Sequence, residues 1–171
     1  YWLSGSSDNL ANMVALLATR YAGGQRRTAV AALKVEAPIH YPEVGLYHPR
    51  AKGRILERVD GLPRPGTKGT VGLVLLRSYV LAGNARHYDG MIAALEARGL
   101  NVIPVFASGL DARPAMDAFF MRNGAPAVDA VVSLTGFSLV GGPAYNDARA
   151  AEAALGKLDV PYITAHPLEF Q

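Results

Sequence analysis

The sequence predicts an α/β fold: a flavodoxin- or Rossmann-like parallel sheet of about four strands over residues 68–171, preceded by a helix and an extended proline-rich arm. Three observations point there. Beyond Thr70, short apolar runs alternate with helix-length amphipathic stretches, the rhythm of βαβ units. Those runs show no polar–apolar alternation, as expected of strands buried on both faces. Ahead of them, residues 35–66 carry five prolines, Pro38, Pro42, Pro49, Pro63 and Pro65. Prolines at that density fix φ and remove amide donors, which argues against a long helix or a central strand.

In chain order, "SSDNLANMVALLATRYAGG" reads as a helix, with Leu10, Val14, Leu17 and Tyr21 forming one apolar stripe. Ser6 or Ser7 is placed to cap it, Asp8 complements its positive end, and Gly23 and Gly24 stop it. Within the arm a short helix is expected around Ile55–Val59. "TVGLVLL" is the first strand of the sheet. "NARHYDGMIAALEARG" is the helix that follows, with Tyr88, Met91, Ile92 and Leu95 on one face, Asn84 as N-cap and Gly99 after its end. "NVIPVF" is the second strand. "DARPAMDAFFMRNG" is a helix turning Met116, Phe119 and Phe120 inward and ended by Gly124. "DAVVSL" is the third strand, "AYNDARAAEAALGK" a helix and "VPYIT" the fourth strand.

Crossovers of this kind are right-handed, so the strands run parallel with helices on both faces. The expected strand order is 2-1-3-4. Residues 1–66 are then a helix and arm belonging to a neighbouring domain, and 67–171 an α/β domain truncated at its C-terminus. The chain opens on Tyr1 without an initiator Met and ends on "HPLEFQ" just after a strand, so it reads as a fragment of something longer.

Composition narrows the chemistry. The 171 residues are 50% apolar, and no run reaches the length needed to cross a bilayer. Cysteine is absent, which removes disulfides, thiolate metal sites and thiol nucleophiles and suits a reducing, cytoplasmic setting. Net charge is +3, with ten Lys/Arg against four Asp/Glu between Arg20 and Lys68. These charges do not cluster in runs, so they read as a solvated surface or an interface. No aromatic–basic interleaving suggests nucleic acid.

Known motifs fail on spacing. Gly136, Gly141 and Gly142 do not match G-x-G-x-x-G and follow the third strand rather than the first. "GLPRPGTK" has the outer glycines of a phosphate loop. However, its Thr and Lys are inverted, its prolines remove amides, and a strand rather than a helix follows. His40, His48, His87 and His166 are scattered, without H-x-x-x-H, and no G-x-S-x-G elbow occurs. No catalytic residue and no metal ligand is assigned.

The loops after strands one and three border the point where strand order reverses, the usual place for a ligand in such a sheet. In the first, Arg77, Ser78, Tyr79, Asn84 and His87 are ligand or interface candidates, with Tyr88 beside them. Arg77 offers donors to a carboxylate, and His87 could shuttle a proton. In the second, Thr135, Phe137, Tyr145 and Asn146 join them. Gly141 and Gly142 are expected to turn the chain tightly before the next helix, with Pro143 near its first turn.

Four separated stretches carry a family resemblance: "YWLSGSSDNLANMVALLATRY", "PIHYPEVGLYHP", "RSYVLAGNARHYDGMIAALEARGLNVIPVFASGLD" and "VDAVVSLTGFSLVGGPAYNDARAAEAALGKLDVPYITAHPLEFQ". Together, and in this order, they resemble the large, porphyrin-binding H subunit of magnesium chelatase. The sister family, the large subunit of aerobic cobaltochelatase, is similar at "YVLAGNARHYDGMIAALEARGLNVIPVF". "TGFSLVGGPAYND" followed by "LDVPYI" is closer to the magnesium branch.

The resemblance implies a segment of a protein over a thousand residues long. Such a protein binds protoporphyrin IX while Mg²⁺ is inserted in chlorophyll or bacteriochlorophyll biosynthesis. Mg²⁺ and protoporphyrin IX are substrates of the whole enzyme, and the segment binds no cofactor of its own. ATP is hydrolysed by two partner AAA+ proteins, the I and D subunits. That division suits an ion that sheds its waters reluctantly. Two alternatives stay open: a docking or lid module without porphyrin contact, and the cobalt branch.

Overall fold

The computed structural model describes residues 1–142 and 144–166; Pro143 and residues 167–171 lie outside them. Two compact units form, one of residues 1–41 with 78–84, the other of 42–77 with 85–171.

The first unit opens on a 3₁₀ turn, Trp2–Ser4, and the helix α1, Ser7–Tyr21. Ser6 caps α1 as expected, its hydroxyl accepting from the Asn9 amide at 3.2 Å. A second helix, α2 (Gln25–Val30), follows Gly24 and was not foreseen. Residues 36–39 then run back along α1. The Asn9 side chain accepts the Ile39 amide and donates to the Ile39 carbonyl, both at 2.8 Å. Asn12 accepts the Glu36 amide at 2.8 Å. The short helix α3, Arg77–Leu81, belongs to this unit from Ser78 onward.

The second unit is built on a six-stranded mixed sheet. Its strands are β1 (Val44–Tyr47), β2 (Ile55–Leu56), β3 (Thr70–Leu76), β4 (Asn101–Ala107), β7 (Ala130–Ser133) and β8 (Tyr162–Thr164), in the order β2-β1-β4-β3-β7-β8. A separate small hairpin pairs β5 (Met121–Arg122) with β6 (Ala125–Pro126). β4, β3, β7 and β8 run parallel, and their order is the expected 2-1-3-4. The helices are α4 (Arg86–Glu96), α5 (Arg113–Phe119) and α6 (Ala148–Leu158).

β3 and β4 are buried at all five interior positions, as the unbroken apolar runs require. Val74, Ile103, Val105 and Val131 join Ala115 and Met116 from α5, Phe120 just after it and Leu158 from α6 in one core. Val71, Leu73, Val102 and Phe106, of opposite parity, are buried on the other face, where α4 supplies the buried Tyr88 and Ile92. Each fully buried side chain of this size contributes roughly 1.5–3 kcal/mol. Side chains also fix the entry to the sheet. Asn101 exchanges two 3.0 Å hydrogen bonds with the Gly66 backbone, and Asp129 accepts the Thr70 amide at 2.7 Å.

The arm expected over residues 35–66 needs correction. Val44–Tyr47 pairs antiparallel with β4, and Ile55–Leu56 pairs with β1, so the arm supplies one edge of the sheet. The stretch escapes its prolines because Pro42 and Pro49 flank β1 rather than interrupt it. The helix expected around Ile55–Val59 is therefore a strand followed by a 3₁₀ turn, Val59–Gly61. Three boundaries also shift. Asn84 does not cap α4, whose N-cap is Ala85; instead the Asn84 amide donates to the Tyr79 carbonyl at the end of α3. Gly124 lies in the β5–β6 turn, because α5 has already ended at Phe119. α6 starts at Ala148 under an Asp147 cap, not at Tyr145.

A polar staple pins β1 to α4. Tyr47 donates to Asp89 at 2.5 Å, Arg54 donates to Asp89 at 2.7 Å, and Arg54 also reaches the Tyr47 hydroxyl. Burial, then the Asp89 carboxylate, push the Tyr47 pKa well up, so the phenol stays protonated. Beside it, His48 is 1% exposed. Its Nδ1 accepts the Arg50 amide at 3.2 Å, and its Nε2 lies 3.2 Å from Glu96, which also receives Arg50 at 2.7 Å. The accepting Nδ1 selects the Nε2–H tautomer. Burial lowers the His48 pKa and outweighs the opposing pull of Glu96.

The turn after β7 is sharp. Gly141 and Gly142 have φ of +104° and +78°. A Cβ on Gly141 would stand 2.4 Å from the Tyr145 carbonyl oxygen, and one on Gly142 2.4 Å from a Leu110 methyl.

Two outcomes follow. The unfolded chain protonates His48 near pH 6.5 while the folded chain resists. Stability is therefore full above that pH and falls as pH drops toward the folded value, by at most about 1.4 kcal/mol per pH unit. Thermal unfolding between pH 7.5 and 5.5 should show a smaller loss in His48→Gln than in the unmodified chain. Gly142→Val should lower stability by about 1–3 kcal/mol, through backbone strain at a positive φ and crowding against Leu110. Gly141→Ala should cost at least as much, because its obstacle is backbone; denaturant melts would rank the two.

Candidate functional site

In a sheet of this topology a ligand is expected where the carboxyl ends of β3 and β7 diverge. Two loops meet there, 108–112 after β4 and 134–147 after β7. They are joined by backbone hydrogen bonds: Ala112 N–H to Leu139 O at 3.1 Å and Gly141 N–H to Leu110 O at 3.1 Å, with a bridge between Asp111 and Val140. Side chains brace each loop from within. Asp111 accepts both the Arg113 amide and its guanidinium, at 2.9 and 2.6 Å, and this pairing holds the Asp111 carboxyl below its ordinary range. Ser133 and Thr135 share a 3.0 Å hydrogen bond, and Thr135 donates to the Phe137 carbonyl. Ser138 donates to the Val140 and Gly142 carbonyls at 3.1 and 3.3 Å.

The seam leaves a cleft of about 20 Å³ over the ends of β3 and β4, bordered by Leu76, Ala107, Leu110, Thr135 and Phe137. That is room for about one water. Beside it, a shallow open groove of about 570 Å³ runs along α6 to β8, bordered by Phe137, Asn146, Glu152, Leu155 and Thr164. A wider open groove of about 950 Å³ lies at the other, amino-terminal end of the strands. Arg58, Arg64 and Arg122 stand around Ile103, Phe119 and Met121 there. It lies at the amino-terminal ends of the strands, away from the carboxyl ends where a sheet of this topology takes its ligand.

The nine candidates are distributed unevenly. Thr135 and Phe137 share the cleft, and Phe137 and Asn146 share the α6 groove. Tyr145 is 67% exposed and packs its ring near Gly141. Arg77 is turned to the Pro42 carbonyl, donating at 3.0 Å. His87 sits with its ring 3.9 Å from that of Tyr88, whose hydroxyl accepts the Leu76 amide at 3.2 Å. Neither Arg77 nor His87 borders the cleft or the α6 groove. Ser78, Tyr79 and Asn84 fall in the first unit, where they form and close α3.

Sequence reasoning missed Ser138, Leu110 and Asp111, which fasten the seam or brace its loops. The Asp111–Arg113 spacing was the one local signal for it. It also missed the staple of Tyr47, Arg54 and Asp89, whose members lie up to 42 residues apart. Among the described residues no group of three or more His, Asp or Glu side chains could hold a metal ion, and no helix is long and apolar enough to cross a membrane.

Comparison with known proteins shows the family. The CobN/Magnesium Chelatase family model matches residues 1–171. The chain is 58% identical to the magnesium-chelatase H subunit of Cereibacter sphaeroides and 51% identical to that of Rhodobacter capsulatus. In both comparisons the match covers 100% of the chain and 14% of the relative. The aerobic cobaltochelatase subunit CobN of a Sinorhizobium species is more distant, at 28% identity over 81% of the chain and 11% of its own length. Among solved structures, the catalytic subunit of cobaltochelatase from Mycobacterium tuberculosis superposes with a TM-score of 0.61 and 22% identity, over 96% of this chain and 12% of that one. That likeness speaks for the fold. The chain spans about one seventh of the length of the magnesium-chelatase relatives it matches, and it belongs to the CobN/magnesium chelatase family.

Proposed function

We propose that this chain is a segment of the porphyrin-binding H subunit of a magnesium chelatase. The whole enzyme inserts Mg²⁺ into protoporphyrin IX in chlorophyll or bacteriochlorophyll biosynthesis, with ATP hydrolysed by its AAA+ partners, the I and D subunits. The observation that carries this reading is the 58% identity to a magnesium-chelatase H subunit across the entire chain, against 28% to the cobalt branch. Mg²⁺ and protoporphyrin IX are substrates here. Mg²⁺ keeps its water shell tightly, and two pyrrole protons must leave the ring, so coupling insertion to a separate ATPase is physically reasonable. A cytoplasmic location and direct porphyrin binding belong to the same proposal.

The second reading, a docking or lid module of the same subunit, is favoured by one observation. The cleft at the strand ends, about 20 Å³, has no room for a macrocycle. In that reading the segment positions other parts of the subunit, and Arg77, His87, Thr135, Phe137, Tyr145 and Asn146 serve contacts between parts.

The full-length subunit, combined with its I and D partners, should form magnesium protoporphyrin from Mg²⁺, ATP and protoporphyrin IX, followed by absorption and fluorescence. Cobalt insertion into a corrin precursor in place of this would sink the magnesium reading. Arg77→Ala with His87→Ala should lower that rate at least about tenfold, or about 1.4 kcal/mol, while shifting thermal unfolding little. Unaltered chelation would reduce the loop to a structural part.

A further inference from the structure

α1 buries a polar side chain, Asn9, with Met13 and Leu16 half-buried on the same side, and leaves most of a second apolar stripe exposed while its first member, Leu10, is half-buried. The residues of α1 and its cap that are buried are Asn9 and Ser6, both polar. Asn9 and Asn12 are committed to the 36–39 segment through the hydrogen bonds described above. Val14 is 62% exposed, Leu17 48% and Tyr21 75%. With Leu10 these three fall within an arc of about 60° at 100° per residue. A helix that turns one side to its own chain, and sets an apolar stripe outward, is shaped for a second partner.

We infer that this stripe is the docking face for another helix of the same polypeptide, lying outside residues 1–171. Three arguments select that occupant. The spacing of Leu10, Val14, Leu17 and Tyr21 is 4-3-4, the seam along which one helix packs on another. The H subunits to which the chain is similar continue far beyond the matched segment, which is 14% of their length. The stripe is four residues over about three turns, far short of the roughly 20–30 residues a side that keep separate molecules together. A covalently linked partner needs no interface of that size, since its effective concentration is already high. The inference rests on the chain being a segment of a longer protein; it does not depend on which metal or ring that protein handles.

The test uses the full-length subunit and reads structure, not chelation. In the wild-type monomer, hydroxyl-radical footprinting should show Tyr21 and Leu17 protected at least about tenfold relative to the free amino acids, and the α1 amides should exchange slowly. Leu17→Asp should abolish that protection and open the 22–35 stretch to limited proteolysis, whereas Leu17→Met should restore it. Light scattering should find one chain per particle in wild type and in both variants. Free oxidation of Leu17 and Tyr21 in the wild-type subunit would overturn the inference. So would a wild-type dimer that Leu17→Asp dissociates, which would make a second copy the occupant. Protection that arises only when the AAA+ partners are added would overturn it too. If the full-length protein inserts cobalt, the functional reading fails while the docking result stands on its own.

Discussion

The central strand β3 is the constraint on which the second unit depends. It hydrogen-bonds β4 along seven residues on one side and β7 along four on the other, all in parallel. Parallel pairing cannot be made by a hairpin, so each neighbour must be brought back by a crossover. The helices α4, α5 and α6 are those crossovers, and their apolar faces exist because both sides of β3 and β4 must be dried. Leu73, Val105 and Phe106 are fully buried for that reason. The loops at the strand ends, including the seam between Leu110 and Gly141, are consequences of where β3 stops.

The antiparallel pair β1–β2 solves a different problem. A parallel sheet ending at β4 would present a long edge of unpaired amides. β1 covers it, and the short β2 covers β1. The staple from Tyr47, Arg54 and Asp89, with His48, Arg50 and Glu96 beside it, ties this cover to α4. Arg50 and Arg54 are about half exposed, so solvent screens these pairs and they are poor evidence of net stability, but removing either would leave a more buried carboxylate without its arginine. The arrangement therefore specifies position: the hairpin sits in one register against one helix.

Much of this fold is legible in the residues, and the reasons are local. Unbroken apolar runs and helical periodicity mark β3, β4, α4 and α5 because burial on both faces writes itself into consecutive residues. The observed order is the flavodoxin-like one expected, an order that right-handed crossovers permit but do not impose. β1 is not legible, since a four-residue strand between Pro42 and Pro49 has the composition of a loop and takes its structure from the β4 edge. α2, α3 and the β5–β6 hairpin are equally short and leave no period to detect. The candidate residues around Arg77 read as one loop, yet the chain divides at Ser78, and no feature of "RSYVLAGN" announces that. Thr135, Phe137 and Asn146 stand out because they follow a strand at the reversal of order, a rule about folds rather than about these side chains.

The seam over the strand ends also bears on rates. The cleft over the ends of β3 and β4 holds about 20 Å³, so a guest larger than water would need the two backbone hydrogen bonds that cross the seam to part. Occupation of that space by such a guest would then be limited by how often the loops separate. At high concentration of any visitor, the observed rate of uptake levels off at the frequency with which the loops separate, and it ceases to report how tightly the visitor is held.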